Sequence, residues 1–361
     1  MTSLRAERYG WQAGRLPQLD GLRAVAITFV MAFHFIPSVE RYAPLGSIGV
    51  RLFFVLSGFL ITRILLASRQ TDIPSALQSF YTRRGLRIFP LFYLVLALAA
   101  LINIGPVRST IGWHLSYLTN IYLFDRGSWH GSISHLWSLA VEEQFYLVWP
   151  LLVLWLPERR LPAAITAMVC LAPISRLLIG GPMNSVLPLS CVDALGTGAL
   201  LALPLTRRPM MSAGFLIGVP LTIASLAFRY ALPLAHRSLG EGGPFEVALD
   251  FGVSLAAAWI VGRAAKGFGG GFGALLTARP VIYVGTISYG LYLYHGFMPY
   301  VLGRYVNGFV DMPWAMRCVL LTVATLATAA VSWRCFEAPI LKYKDSRLRI
   351  ADVGLRIRNA A

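Results

Sequence analysis

The chain has 361 residues, of which 57% are hydrophobic and only 13% charged, and its mean hydropathy is +0.64. Ordinary soluble domains carry about 25% charge, so a soluble enzyme with one anchor is excluded and an all-α, polytopic membrane bundle is expected. The net charge of +16 does not point to nucleic acid, because the basic residues punctuate the loops between apolar runs.

The first apolar run, from Leu19 to His34, carries two groups that a bilayer rejects, Arg23 and His34. They are eleven residues apart. At about 100° and 1.5 Å per residue they share one helix face within roughly 20° and stand about 16 Å apart along the axis. Ionisable residues inside spans are expensive, and they mark function by default. No cleavable signal precedes this run.

About ten spans follow the hydropathy, at roughly 20–38, 47–67, 87–106, 134–156, 161–180, 186–206, 211–230, 245–263, 280–300 and 315–334, each near the ~20 residues a crossing needs. The run at 186–206 is the weakest, being broken by Pro188, Asp193 and Pro204. With both termini cytoplasmic, 22 arginines and lysines fall on the inner side and 8 on the outer side. The positive-inside rule therefore sets that orientation, and the cell's inner membrane is the expected location. The whole chain reads as one domain, 1–361, with its core at about 17–343 and a basic cytoplasmic tail at 344–361.

In the second run Gly46, Gly49, Ser57 and Gly58 are small residues that let helices approach closely. Arg51 sits about one turn from the outer end. It either snorkels to the interface or faces inward to hold an anionic or carbonyl oxygen. The inner segment 68–90 ends in FYTRRGLRIFP, where Arg83, Arg84 and Arg87 precede Pro90. These arginines either anchor the chain or grip phosphates, which guanidiniums bind bidentately. No Walker or Rossmann glycine loop is present.

The long outer segment 107–133 is rich in aromatics and holds His114 and His130, which read as structural or interfacial. The fourth run opens HLWSLAVEEQFYL. There Glu142 and Glu143 point about 100° apart, at a depth close to that of His34, so either could orient its imidazole. His135 is interfacial or part of a pocket. Arg176 and Asp193 are a possible polar pair in the middle spans, and His236 reads as solvated. The ninth run carries Tyr289 and His295, as an interfacial belt or a pocket wall. Glu337 before Pro339 ends the last helix, with a cytoplasmic arginine as its expected partner. The cysteines, Cys170, Cys191, Cys318 and Cys335, read as buried thiols. No pair of histidines has metal-ligand spacing within one helix, so no metal is expected.

Six features come in one order: Arg23-x10-His34, GVRLFFVLSGFLI, FYTRRGLRIFP, SLAVEEQFYL, ISYGLYLYH and FEAPI. In this the chain resembles the acyltransferase-3 family, multi-span O-acyltransferases that modify surface glycans, nodulation factors and some macrolides. The resemblance implies an acyl-coenzyme A donor, commonly acetyl-CoA, and a hydroxyl acceptor, usually on a glycan or glycoconjugate. It implies catalytic roles for His34, Arg51 and Glu142 or Glu143, and donor binding by Arg23, Arg83, Arg84 and Arg87. Trp137, Tyr289 and His295 would contact substrate. The chemistry agrees: acyl transfer from a thioester to an alcohol needs a base, positive charge for the oxyanion, and a phosphate clamp. The competing expectation is a proton-coupled transporter or flippase, which would also use intramembrane Arg, His and Glu.

Overall fold

The computed structural model describes residues 16–39, 42–231 and 242–342. Several residues weighed in the sequence lie outside these: Arg5, Arg8, Arg15, Arg41, His236, Arg237, Glu241 and the basic tail from 343 onward. Among the described residues all regular structure is helical. Most of the apolar runs became α1 (Pro17–Phe35), α2 (Leu45–Ser68), α3 (Ile73–Leu101), α6 (Leu136–Trp155), α7 (Leu161–Ile179), α8 (Pro188–Ala202), α11 (Pro244–Lys266) and α16 (Trp314–Ser332). The seventh run became α9 (Pro204–Ala213) and α10 (Val219–Ala231), joined by a π turn at Gly214–Gly218. Between α3 and α6 lie the short helices α4 (Ile111–Leu115) and α5 (Thr119–Arg126).

Among the described residues six stretches are long and apolar enough to cross a bilayer: Leu45–Ser68, Ile73–Leu101, Glu158–Ile179, Pro204–Ala231, Pro244–Lys266 and Trp314–Lys342. The other expected spans fall short for identifiable reasons. In α1 the polar Gln18, Asp20, Arg23 and His34 dilute the hydropathy, as Glu142, Glu143 and Gln144 do in α6. Helix α8 has only 15 residues. The ninth run is not one helix but three, α13 (Arg279–Thr286), α14 (Ser288–His295) and α15 (Met298–Tyr305). Pro299 sits in the first turn of α15, where its missing N–H is tolerated, and so marks a new start.

One boundary differs usefully from expectation. Helix α3 begins at Ile73, so the three arginines lie within a continuous helix and Pro90 is inside it. The start signal was in the sequence: the Asp72 carboxylate accepts the Ser75 N–H at 2.9 Å, with Pro74 in the first turn. That is a helix N-cap. Asp72 is held below its ordinary pKa by these Ser75 hydrogen bonds.

Helices α2 and α8 cross with their backbones almost touching. A β-carbon at Gly58 would drive into the Leu195 carbonyl, and one at Gly198 into the Val55 carbonyl. Gly49 meets the Ala26 carbonyl of α1 in the same way. The small residues of the second run thus serve close approach, as expected. This crossing brings Arg51 and Ser57 of α2 beside α8, α11 and α6.

His114 is fully buried between two hydroxyls: Nε2 lies 2.8 Å from Thr110 Oγ1, and Nδ1 lies 2.8 Å from Thr119 Oγ1. Burial, and secondarily the charge of His130, push its pKa from 6.5 down to about 4. At neutral pH the ring is uncharged in both folded and unfolded chains. As pH falls from about 6.5 toward 4, the unfolded chain takes up a proton that the folded one refuses, so stability drops through that window. Amide exchange across α4 and α5 should accelerate there beyond the intrinsic pH trend. His114→Gln should flatten the response, and an unchanged response in that variant would remove the assignment.

Candidate active site

Five helices, α1, α2, α3, α6 and α14, enclose a cavity. Its polar lining is Arg23 from α1, Ser57 from α2, Arg84 and Arg87 from α3, Ser138 and Glu142 from α6, and Ser288, Tyr289 and Tyr292 from α14. Val50, Phe53, Phe54, Leu56, Ile88 and Leu139 supply its apolar wall. Arg84 and Arg87 reach the cavity because they are three residues apart on α3. Arg83 points elsewhere: it is exposed, with Nε 3.2 Å from Ser79 Oγ.

The cavity holds three guanidiniums and one carboxylate. The Glu142 carboxylate receives hydrogen bonds at one oxygen, Oε1, from the Ser57 hydroxyl, the Tyr146 hydroxyl and Arg84 Nη2, the last at 3.4 Å. Arg84 also donates to the Tyr146 hydroxyl and lies over that ring, 3.9 Å from its centre. Arg23 and Arg87 make no hydrogen bond or ion pair with any described residue. The Nε of Arg84 is buried without a partner. Arg23 and Arg84 are half-buried and Arg87 is exposed, so the cavity presents surplus positive charge that an anionic ligand could meet.

Ser138 and Tyr292 also line the cavity. Their hydroxyls lie 2.5 Å apart, and Tyr292 donates to the His135 carbonyl at 2.9 Å. Immediately behind Tyr292 stand three imidazoles. The His295 ring lies 5.2 Å from Tyr292, 5.0 Å from His135 and 4.9 Å from His34, centre to centre. His34 is exposed, and its Nδ1 lies 2.8 Å from the Val30 carbonyl. A carbonyl can only accept, so Nδ1 carries a proton, and in the neutral ring Nε2 keeps its lone pair. His295 is buried in the same tautomer, Nδ1 lying 2.7 Å from the Tyr292 carbonyl and Nε2 having no partner. His135 commits Nε2 to the Leu293 carbonyl at 3.2 Å.

The two glutamates do not meet His34. Glu142 stands seven residues, or roughly 10 Å, along α6 from His135, and a backbone carbonyl rather than a carboxylate orients the His34 ring. Glu143 interacts electrostatically with Arg84 and with Tyr93, Tyr117 and Tyr289, but makes none of the Glu142 hydrogen bonds. Trp137 packs edge-on to Phe54, 6.1 Å away, and tilted against Trp129. Glu337 accepts from Ser332 Oγ at 3.2 Å and feels the charge of Arg87.

Arg51 does not line the cavity. Its Nη1 reaches both Asp193 oxygens at 3.2 Å and Ser254 Oγ at 2.9 Å, and its Nη2 reaches Asp250 at 2.5 Å. Arg176 meets Asp193 at 2.8 Å, so the possible middle-span pair is real and belongs to a larger cluster of two arginines and two aspartates. Sequence reading passed over Asp250 and Tyr146. Asp250 was legible as an acidic residue in an apolar run, and Tyr146 as the residue one turn after Glu142. Among the described residues no group of three or more His, Cys, Asp or Glu side chains could hold a metal ion.

A sequence model of the family described as "Acyltransferase domain" matches residues 16–334. The chain is 28% identical to the peptidoglycan O-acetyltransferase OatA of Listeria monocytogenes, over 91% of this chain and 56% of that protein. It is 30% identical to the putative peptidoglycan O-acetyltransferase YrhL of Bacillus subtilis, over 90% and 55%. It is 27% identical to the O-acetyltransferase OatA of Staphylococcus aureus, over 91% and 57%. The chain thus spans about half the length of the curated relatives it matches. No solved structure matches it.

Proposed function

The chain belongs to the acyltransferase-3 family, and on that premise we propose that it is a membrane O-acyltransferase moving an acetyl group from acetyl-CoA to a hydroxyl of a glycan. The named relatives act on peptidoglycan or are O-acetyltransferases, which favours a cell-wall or similar sugar polymer as acceptor. In this reading the chain crosses the bilayer about ten times as one domain with both termini cytoplasmic. The donor then enters from the cytosol and the acceptor from outside.

The observation that carries the reading is the cavity with three arginines and surplus positive charge, whose lining residue Tyr292 packs against His295, which in turn packs against His34. Arg23, Arg84 and Arg87 grip the donor's phosphates. The exposed Arg83 and the caged Arg51 act further out, Arg83 at the entrance and Arg51 in holding the framework. Tyr289 and Trp137 shape the cavity, and His295 backs the catalytic imidazole. Nε2 of His34 takes the proton of the acceptor hydroxyl as its oxygen attacks the thioester carbonyl. The imidazolium then returns that proton to the departing CoA thiolate. The Val30 carbonyl stabilises the imidazolium through Nδ1–H, so each turnover restores the starting tautomer.

Purified protein in detergent, given radiolabelled acetyl-CoA and a soluble glycan fragment, should bind CoA and transfer the label to the sugar. A carrier would do neither, and failure to bind CoA would overturn the reading.

A further inference from the structure

Glu142 is placed to act on the donor clamp instead of on the proton. Its Oε1 is saturated by Ser57, Tyr146 and Arg84 from three helices, and it stands roughly 10 Å along α6 from the histidines. Tyr146 is the hinge of the arrangement. It is buried, offers its ring face to the Arg84 guanidinium at 3.9 Å, accepts from Arg84 and donates to Glu142. Arg84 is therefore fixed by a stack on one side and by hydrogen bonds at one terminal nitrogen. Its Nε edge remains buried and unpartnered in the cavity wall. Leaving a buried donor unmet is costly, and a ligand that meets it recovers that cost.

Resting on the acyltransferase reading above, we propose that Ser57, Glu142 and Tyr146 are positioning residues: they hold Arg84 in the cavity wall, where it meets the anionic part of the acyl donor. The arginine is pre-organised, so less rotamer freedom is lost when the donor binds. Ser57 serves as a fixed donor to Glu142 and not as a nucleophile.

Charge alone and positioning predict opposite signs. Glu142→Gln removes the cavity's negative charge, which by attraction alone would tighten an anionic donor. If Glu142 positions Arg84, the same change loosens it. The expected result is a KM for acetyl-CoA raised about tenfold, a kcat reduced less than threefold and an unmoved pH profile. Tyr146→Phe, which keeps the stacked ring, should raise KM a few-fold, and Ser57→Ala by less. In an Arg84→Ala background, Glu142→Gln should add nothing to KM, because residues acting through one group are non-additive. Equilibrium CoA binding by each variant, with its thermal midpoint in detergent, separates lost folding from lost positioning. A lowered KM, additive effects with Arg84→Ala, or a collapsed kcat with a shifted pH profile would each overturn the proposal. Absence of CoA binding by the unmodified protein would instead overturn the acyltransferase reading.

Discussion

His34→Ala is expected to lower acyl transfer by a factor of about 10² to 10⁴, the range a positioned base supplies, while the protein still inserts and still binds CoA. The two halves of that result are linked by geometry. His34 does not line the arginine cavity; it touches it only through His295 and Tyr292. Removing its ring therefore leaves Arg23, Arg84 and Arg87 in place. Transfer measured with labelled acetyl-CoA, beside equilibrium CoA binding, checks both halves. Transfer near the unmodified rate would end the base assignment. Loss of CoA binding together with transfer would show that the ring supports the fold instead of the chemistry. His34→Gln should behave like alanine, because an amide cannot take up a proton at neutral pH.

The second large effect concerns stability. Asp193 is completely buried and is shared by Arg51 and Arg176, themselves buried. Taking away one partner of a buried ion pair costs roughly 3–5 kcal/mol, because the remaining charge is stranded in a low dielectric. Asp193→Ala strands two guanidiniums at once, though Asp250 still meets Arg51. Asp193→Ala should therefore fall at or above the upper end of that range and sharply lower the thermal midpoint in detergent. Asp250→Ala should cost clearly less: its side chain is 18% exposed, and Arg51 keeps Asp193. Equal effects of the two substitutions, or a drop under about 0.5 kcal/mol for Asp193→Ala, would show that water reaches the cluster and screens it.

The helical class and most of the helices were legible because hydropathy runs report directly on where backbone must be self-satisfied. The close-approach role of Gly49 and Gly58 was legible for the same kind of reason: a residue without a side chain in an apolar run has few other uses. The gathering of Arg23, Arg84, Arg87, Glu142 and Tyr289 followed from residue type, since groups too costly for lipid must share a polar interior. Three things were not legible. The partners of Arg51 lie 142 and 199 residues away in sequence, and a single chain carries no signal of that separation. The expectation that a glutamate orients His34 compared depths measured from run ends, and a tilt or crossing shifts such depths by several ångströms. The division of the ninth run into three pieces was signalled only by Gly296 and Pro299, in a stretch whose hydropathy is continuous.

The layer formed by Ser138, Tyr292 and the histidine rings has a consequence for the cell as a whole. A bilayer is an energised insulator, and each elementary charge falling through 100 mV releases about 2.3 kcal/mol. A protein that brought three guanidiniums and bulk water into contact across it would be a leak. A hydrogen-bonded tyrosine backed by imidazoles stands between the arginine cavity and His34, and in the proposed reading it is the layer the thioester must pass to reach that ring.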